Sequence, residues 1–431
     1  MLAFASPLLA GNLLQQLYNL ADSVIVGHFL GKEALAAVSA SFFIYFFIIS
    51  LMIGVGSGIT VVVSQYCGAR QYEKVQRAFS SFFIFMWWAG IVFSCAGMFF
   101  AEGFFRLTNT PEEVVPFAVD YFRIYIGGTF LFVMFNSLIS VLRGTGDSTR
   151  PMLFILLAAG LNVGLDLLFI AVFGWGVEGA ACATIVAQGC GLAVALTYVH
   201  RRHELFSLRR RDMVFDRRLF VQGLRIGLPT SVQQCAIAVG LMALLGIVNG
   251  FETDTLTAYG AAGKIDTLIS QVTLTFAGAL AAFCGQNIGA RRFDRVRRGV
   301  RFAMWLNMAF GLAMFALVWF CGRGMMRMFT TDAAVVDIGY EYLLVTGSFF
   351  VVNGMLHILT GALRGAGDTV FAMITSIVTF WLARIPLAYF LSDAWGRSGI
   401  WWAVDISVGI GFLATAIYYR TGRWRSKFKI Q

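Results

Sequence analysis

The residues that could carry chemistry in this sequence are a few polar side chains inside long apolar stretches. The segment GLNVGLDLLFI, residues 160–170, holds Asn162 and Asp166 four residues apart. Side chains four apart on an α-helix point from the same face, so this face would present an amide and a carboxylate. Asp22 lies in a second apolar stretch and Thr184 in a third. Two carboxylates, an amide oxygen and a hydroxyl form a hard, oxygen-rich set that suits a small cation or a proton.

Burying these groups in a membrane would be costly. An ionised side chain at the centre of a bilayer costs roughly 2.5–3.5 kcal/mol even on lenient insertion scales, and such residues usually mark an ion or substrate path. The structural alternative is a hydrogen bond between helices, which explains Thr184 as well as ion binding does and explains Asp22 and Asp166 poorly.

Lys264 and Asp266 form another candidate pair, although residues two apart do not share a helical face. Asp266 could line a cleft while Lys264 pairs through a neighbour or extends to the membrane surface.

The elements that position these residues are membrane helices. The 431 residues are 58% apolar and 13% charged, against about 25% charged in soluble domains. The apolar residues come in blocks long enough to cross a hydrocarbon layer of ~30 Å, which takes about 20 helical residues. The sequence therefore predicts an all-α polytopic membrane protein. We expect twelve spans, at residues 3–30, 35–64, 80–104, 117–141, 151–173, 178–199, 220–249, 256–286, 300–321, 336–361, 370–391 and 398–419.

The net charge of +10 is a signal of topology. Most Lys and Arg residues fall on alternate loops of the twelve-span arrangement, in clusters at 201–225, at 291–301 and at the end of the chain. Cytoplasmic loops carry such an excess, so both termini are expected in the cytoplasm and the protein in the plasma (inner) membrane. The placement of the charge argues against nucleic-acid binding.

The chain contains an internal repeat. The segment VLRGTGDSTRPM at 141–152 returns as ALRGAGDTVFAM at 362–373, and YCGARQYEKV at 66–75 returns as NIGARRFDRV at 287–296. Both segments are shifted by the same amount, from 141 to 362 and from 66 to 287, and we call this shift the repeat offset. Each half holds six predicted spans, so the halves have the same orientation and are related by an axis along the membrane normal.

The repeat predicts the domain organisation. We predict six-helix bundles at 1–199 and 220–431, joined by a basic cytoplasmic linker at 200–219. Two such bundles around a central cleft suit alternating access.

The halves differ in their ionisable residues, which points to specialised roles. At the repeat offset, Asp22 corresponds to Ala243, and Asp166 corresponds to Leu387. Asn162 likewise corresponds to an alanine, next to Arg384, whose role we take to be a structural counter-charge. The candidate carboxylates of the first half therefore belong to that half alone.

The repeated loop offers an alternative function from another class. Both copies, at 144–147 and 365–368, fit the Gly-x-Gly-Asp pattern of intramembrane aspartyl proteases. Each copy lies at the end of a span beside an arginine, however, and not in mid-membrane. Glycines there permit a tight turn, and Asp147 or Asp368 can cap the next helix. We therefore interpret the loop as structural and expect no enzymatic activity.

Taken jointly, several segments resemble the multidrug and toxic compound extrusion (MATE) transporters over essentially the whole chain. They include PLLAGNLLQQLYNLADSVIVGHFLG, LRGTGDSTRPM, GLNVGLDLLFI, LPTSVQQ, AYGAAGKID, LRGAGDT and ARIPLAYFL. The resemblance implies two six-helix bundles arranged in a V around a central cavity. It also implies export of organic cations in exchange for protons or sodium ions, without a further cofactor.

The resemblance extends to individual residues of the archaeal and DinF-like type. That pattern places the coupling cation at Asp22, Asn162, Asp166 and Thr184, with a possible Na⁺ as the only metal ion. It places Gln15 and Tyr18 in the substrate cavity, to which we add Gln188, Asp266 and Lys264, and it matches Pro7 to a proline where the first helix can bend. NorM-type members use carboxylates of the C-terminal bundle instead, and here we expect Asp266 as the sole candidate.

We therefore predict a secondary active antiporter that exports lipophilic organic cations, acts in the lipid bilayer and functions as a monomer. The alternative within the same superfamily is a flippase or exporter of a lipid-linked precursor or a metabolite. A flippase for phosphate-bearing lipids would need a cationic cleft, whereas this sequence offers more aspartates than basic groups in its spans.

Overall fold

The computed structural model describes residues 2–107, 115–203 and 205–426, without the side chains of residues 23, 31–40, 42–44, 46–48, 202 and 426. The described residues form helices joined by short turns. In chain order the α-helices are α1 (Leu2–Gly68), α2 (Tyr72–Leu107), α3 (Val115–Gly127), α4 (Thr129–Thr145), α5 (Thr149–Asp166), α6 (Val177–Arg202), α7 (Arg217–Val248), α8 (Thr253–Gly289), α9 (Phe293–Arg327), α10 (Ala333–Ser348), α11 (Phe350–Gly365), α12 (Thr369–Ile377), α13 (Ile385–Trp395) and α14 (Arg397–Thr421). Two π-helical segments, Leu167–Val172 and Val378–Arg384, follow α5 and α12.

The helices confirm an all-α membrane architecture. Within the described residues, nine helices are long and apolar enough to cross a membrane, and two bent pairs bring the number up to eleven. The bent pairs are α3 with α4 and α10 with α11, which match the predicted fourth and tenth spans. Large apolar side chains cover the outside of these helices, and Phe99 and Phe320 are 81% and 82% exposed. Exposed apolar surface on this scale is the surface that lipid would cover.

Helix α1 contains both of the first two predicted spans. Its 67 residues are assigned as one helix, yet Asn12 accepts a hydrogen bond from Arg143 (3.4 Å) while the hydroxyl of Thr60 donates to the carbonyl of Ser140 (2.9 Å). Ser140 and Arg143 lie within one turn of α4, whereas a straight helix would separate residues 12 and 60 by roughly 70 Å. The chain therefore reverses direction within α1. The side chains around the predicted turn at 31–34 lie outside the described ones.

The chain divides into two compact units, Leu2–Leu228 and Pro229–Gln431. In the first unit the largest core lies around Tyr66, Phe79, Phe82 and Leu138, contributed by α1, α2 and α4. In the second, Trp401 and its neighbours on α8, α10 and α14 form one core, and residues of α8, α9 and α11 form another. The predicted domain limits at 199 and 220 remain a prediction.

The segment after α6 that was predicted to be a linker packs on the first unit. Gln76 of α2 makes two hydrogen bonds to the backbone of Ser207, at 2.8 and 2.9 Å. The backbone N–H of Asp216 donates to the hydroxyl of Ser81 at 2.7 Å. These polar residues of α2 thus hold the segment against the end of the first half.

The internal repeat is visible in the backbone as well as in the sequence. The two bent pairs turn by 46° at Gly128 and by 50° at Phe349, two positions that are related by the repeat offset. Arg70 and Arg291, which are related in the same way, share positive φ angles of 57° and 56°. Matching bends and matching left-handed residues show that both halves adopt the same fold.

The repeated Gly-x-Gly-Asp loop is a turn between helices. Gly146 and Gly367 have φ angles of 94° and 85°, which glycine adopts without strain. The carboxylate of Asp147 accepts a hydrogen bond from the backbone N–H of Arg150 at 3.2 Å, as expected for a helix cap. The carboxylate of Asp368 instead accepts from the hydroxyl of Tyr418, at 2.5 Å. Both carboxylates therefore accept hydrogen bonds within the fold, Asp147 in its own turn and Asp368 from a residue of α14.

Candidate functional site

Three helices of the first half bring the predicted cation-binding residues together. Gln15, Tyr18 and Asp22 recur at helical spacing along α1, so they share a face. Asn162 and Asp166 lie on the last turns of α5, and a π-helical segment begins directly after Asp166. Such segments interrupt the regular ladder and occur frequently at functional sites.

The two carboxyl groups are the centre of this site. The side chains of Asp22 and Asp166 lie within hydrogen-bonding contact of each other, and Asp166 is fully buried. Ionised carboxylates accept hydrogen bonds and cannot donate them. Contact between the two is therefore favourable when a proton or a cation lies between them.

The buried side-chain oxygens at this site also indicate that a proton or a cation binds there. Among the described residues, no hydrogen-bond donor reaches either oxygen of Asp166, Oδ1 of Asp22 or Oδ1 of Asn162, and all four atoms are buried. Buried polar atoms in folded proteins are nearly always paired, so a cluster of unpaired acceptors needs an explanation. Hard oxygen ligands of this kind fit a proton or a small cation such as Na⁺.

Thr184 has an orienting role in this arrangement. Its hydroxyl donates to the backbone carbonyl of Ala180 (3.1 Å) and accepts from the Nδ2 of Asn162 (3.2 Å). These bonds fix the amide so that its oxygen is left without a partner. A hydroxyl oxygen has two lone pairs, so Thr184 keeps one for a further ligand.

Tyrosines that the sequence analysis did not single out surround the carboxyl pair. The rings of Tyr121 and Tyr125 on α3 are stacked at 5.5 Å, and Tyr45 meets Tyr125 edge to face at 4.4 Å. Tyr121 and Tyr125 both interact electrostatically with Asp22. The signal was present in the spacing of Tyr121 and Tyr125, which lie four residues apart and so share a face.

Two small cavities lie in the first half, one lined by Tyr18 and the other by Thr184. Gln15, Tyr18 and Gln188, all predicted to line the substrate cavity, line the first one together with Asn136 and apolar side chains. Gln188 also lines the second cavity, whose other walls are mostly aromatic and apolar. The predicted cavity residues of the first half are thus brought together within it.

The second half holds a different polar cluster. Asp266 of α8, Arg384 at the end of the second π-helical segment and Asp405 of α14 interact electrostatically with one another. The Nε of Arg384 donates to the hydroxyl of Ser407 at 2.9 Å, and its guanidinium lies 3.9 Å from the ring centroid of Phe380. Oδ2 of Asp405 is buried and has no donor among the described residues.

Asp405 corrects the expectation that Asp266 would be the sole carboxylate available in the C-terminal bundle. It is 2% exposed, and the repeat offset relates it to Thr184. The position of a predicted cation ligand in the first half is therefore occupied by a carboxylate in the second. Applying the repeat offset to Thr184 would have found it from the sequence.

Lys264 lies apart from this cluster. It is exposed on α8, and its Nζ lies 5.8 Å from the ring centroid of Phe329. Its proposed pairing with Asp266 is not seen among the ion pairs of the described residues. Its assignment to the substrate cavity stays a prediction.

Comparisons with known proteins decide the family. The MatE family model matches residues 7–168 and again 229–390, one copy in each half. The chain belongs to the MATE family of transporters. It is therefore a multi-pass membrane protein with a transport function, and not an enzyme, so the protease alternative is set aside.

Individual relatives agree with this assignment. The transporter is 31% identical to the probable multidrug resistance protein YpnP of Bacillus subtilis (strain 168), over 98% of this chain and 95% of the relative. A FAD transporter of Shewanella oneidensis is 24% identical over 94% of this chain and 90% of that protein. The structure of an outward-facing multidrug resistance MATE transporter of the MOP superfamily superposes with a TM-score of 0.92, at 25% identity, covering 97% of this chain and 94% of the other.

Proposed function

We propose that this MATE transporter exports lipophilic organic cations in exchange for protons or sodium ions. The coupling ion would bind at Asp22, Asn162 and Asp166, with Thr184 holding the amide, as in the archaeal and DinF-like pattern. The observation that carries the proposal is the group of four buried oxygens without donors among the described residues. Such a group is stable when a cation or a proton is shared among them.

The same site explains how an ion could drive transport. With no ion bound, the two carboxylates give the buried site a negative charge that attracts a cationic substrate into the neighbouring cavities. Binding of a proton or Na⁺ neutralises this charge and weakens the attraction. A ligand can shift a conformational equilibrium by as much as it differs in affinity for the two states, and this competition supplies such a difference.

The remaining parts of the proposal concern the membrane context. The distribution of basic residues supports a topology with both termini on the cytoplasmic side of the plasma membrane. One chain holds both copies of the family repeat, so the proposed transporting unit is a monomer.

An anionic substrate is the main alternative, since one relative is a FAD transporter. A pyrophosphate-bearing flavin or a lipid-linked precursor would need basic partners in its binding site. The charged residues in contact at the first-half site are carboxylates. This charge favours cations over anions as substrates.

The test is ethidium movement in proteoliposomes under an imposed proton gradient and, separately, an imposed sodium gradient. Movement with one gradient alone would support cation export and identify the coupling ion. Asp166→Asn should abolish coupled movement. The matched control is Asp120→Asn, the same change at an exposed aspartate of α3, which should keep it.

Two results would contradict the proposal. Undiminished movement in folded Asp166→Asn protein would place the coupling site elsewhere. No movement with either gradient, from folded wild-type protein, would favour a lipid or metabolite substrate.

A further inference from the structure

A strongly basic face lies at the start of α9 in the second half. We define the basic face as the six arginines of residues 291–301, all of them exposed: Arg291, Arg292, Arg295, Arg297, Arg298 and Arg301. Within the described part of the chain, none of the ion pairs involves them. Arg291 and Arg292 lie in the turn before α9 and the other four on its first turns. So many like charges in eleven residues repel one another unless an anion covers them.

The corresponding face of the first half is covered by protein. There Gln76 and Ser81 of α2 hydrogen-bond to the backbone of Ser207 and Asp216 in the segment between the halves. Short polar side chains suit this contact because they can satisfy backbone groups at close range.

The second half has replaced those polar contacts. At the repeat offset, Gln76 and Ser81 correspond to Arg297 and Phe302, so the hydrogen bonds that hold the segment in the first half cannot be repeated here. The chain that follows α14 ends in the sequence KFKIQ, residues 427–431. These residues carry two lysines and no acidic side chain.

The end of α14 adds a further arginine beside the basic face. Trp424 is 1% exposed and packs against Phe293, with ring centroids 6.3 Å apart, and stacks on Tyr419 at 5.2 Å. Arg425 lies over the Trp424 ring at 5.5 Å. The buried tryptophan therefore fixes the position of Arg425 near the start of α9.

The hydroxyl of Tyr419 completes the arrangement. Its oxygen is buried and has no hydrogen-bond partner among the described residues. Arg297 and Arg425 both interact electrostatically with Tyr419. Arg297 follows Phe293 by one helical turn, and Phe293, Tyr419 and Arg425 all lie against the ring of Trp424. The two guanidinium groups are therefore placed near Tyr419 by these ring contacts.

We propose that Arg297, Arg425 and Tyr419 bind the phosphate of an anionic phospholipid headgroup. Guanidinium groups bind phosphate through paired, charge-assisted hydrogen bonds, and the tyrosine hydroxyl can donate a third. The site lies where α9 begins and α14 ends, at the ends of two membrane-crossing helices. Basic residues at this level attract anionic lipids. The lipid would also neutralise part of the basic face.

The experiment compares the full-length transporter in nanodiscs of phosphatidylcholine with nanodiscs that also contain phosphatidylglycerol. Thermal unfolding reports stabilisation, and native mass spectrometry counts the phosphatidylglycerol molecules that the protein retains. The test variants are Tyr419→Phe and the double change Arg297→Gln/Arg425→Gln. The matched control is Arg209→Gln/Arg210→Gln, which removes the same charge from exposed arginines of the first half.

Phosphatidylglycerol should stabilise the wild type and the control to the same extent. The double variant should bind it roughly 30-fold more weakly, since each arginine near a membrane surface contributes a factor of about five. Tyr419→Phe guards against a folding defect, because removing an unpaired buried hydroxyl should leave stability in phosphatidylcholine unchanged or higher. The increase in Tm that phosphatidylglycerol gives to Tyr419→Phe should nevertheless be smaller than the increase it gives to the wild type.

Three results would overturn the proposal. If the control and the double variant lose phosphatidylglycerol binding to the same extent, the lipid is attracted diffusely by charge and no site exists. No preference for phosphatidylglycerol over phosphatidylcholine would leave an acidic protein as the partner to consider. Equal stabilisation by inorganic phosphate in phosphatidylcholine nanodiscs would assign the site to a free anion. None of these readouts depends on transport, so they test the lipid site separately from the proposed function.

Discussion

Asp166→Asn should make the transporter more stable while removing its ion coupling. Asp166 is fully buried, and neither of its oxygens has a donor among the described residues. The amide that replaces it has nearly the same shape, carries no charge and can donate a hydrogen bond to Asp22. The substitution therefore relieves the contact between two carboxylates and satisfies one of them.

The size of the stability gain expected for Asp166→Asn follows from the unpaired oxygens of Asp166. A buried acceptor without a partner costs about 1–3 kcal/mol, and a hydrogen bond to a charged group contributes about 1.5–3 kcal/mol. We expect a net gain of about 1–3 kcal/mol, which corresponds to roughly 2–10 °C in apparent Tm for a unit of this size. The gain should be largest at alkaline pH without sodium, because protons or Na⁺ stabilise the wild type through the same oxygens.

The assay is thermal unfolding of both proteins across pH, with and without Na⁺. By mass action the ion should raise the free energy of unfolding of the wild type by about 2.7 kcal/mol at a hundredfold excess over its Kd, and so raise its Tm. It should leave the Tm of Asp166→Asn unchanged. Asp368→Asn is the matched control, since that buried carboxylate does accept a hydrogen bond, from Tyr418. It should lower stability. If Asp166→Asn also lowers the Tm and keeps its response to Na⁺, Asp166 is a structural residue and the reasoning fails.

Three further predictions follow from the structure. Na⁺ affinity, measured by the shift in Tm, should fall as pH falls, because protons compete for the carboxyl pair; a pH-independent affinity would contradict a shared site. Gly365→Ala should destabilise the protein by about 1–3 kcal/mol, since a Cβ there would clash with the carbonyl oxygen of Ala281. Gly160→Ala, with nothing within 4 Å, should instead be neutral or stabilising by up to ~1 kcal/mol in chemical or thermal unfolding. Lys264→Gln tests the predicted place of Lys264 in the substrate cavity: ethidium transport should fall relative to the wild type, and an unchanged rate would show that Lys264 lies outside the substrate path.

The architecture was predictable because the membrane restricts backbone choice so strongly. Apolar length alone indicated the spans, since helices satisfy every backbone group internally in lipid. The bends at Gly128 and Phe349 had a signal that the apolar pattern does not show, because Gly127–Gly128 and Gly347–Ser348 are pairs of small residues at which helices kink. The π-helical segment after Asp166 was not predictable, because its sequence LLFIAV also suits an α-helix.

The carboxylates of the site were predictable for a related reason. In an apolar background an ionisable residue is conspicuous, and Asp22 and Asp166 had no structural explanation at their positions. Tyr121 and Tyr125 escaped notice because tyrosine is common in apolar helices for packing alone. Their proximity to Asp22 depends on how α3 packs in the first half, which sequence spacing does not contain.

The two halves place unlike chemistry at equivalent positions, and this can be tested in the second half. Arg384 is buried and interacts electrostatically with both Asp266 and Asp405, so each carboxylate can compensate its charge when the other is removed. Asp405→Thr, which installs the residue of the equivalent position in the first half, should cost little in stability, and so should Asp266→Asn. The double variant leaves a buried guanidinium without a counter-charge and should cost about 3–5 kcal/mol. Thermal unfolding of the wild type, the two single variants and the double variant gives the interaction energy between Asp266 and Asp405. Additive effects would show that the carboxylates do not share Arg384. An unchanged Na⁺ response in Asp405→Thr would further separate this cluster from the ion site of the first half.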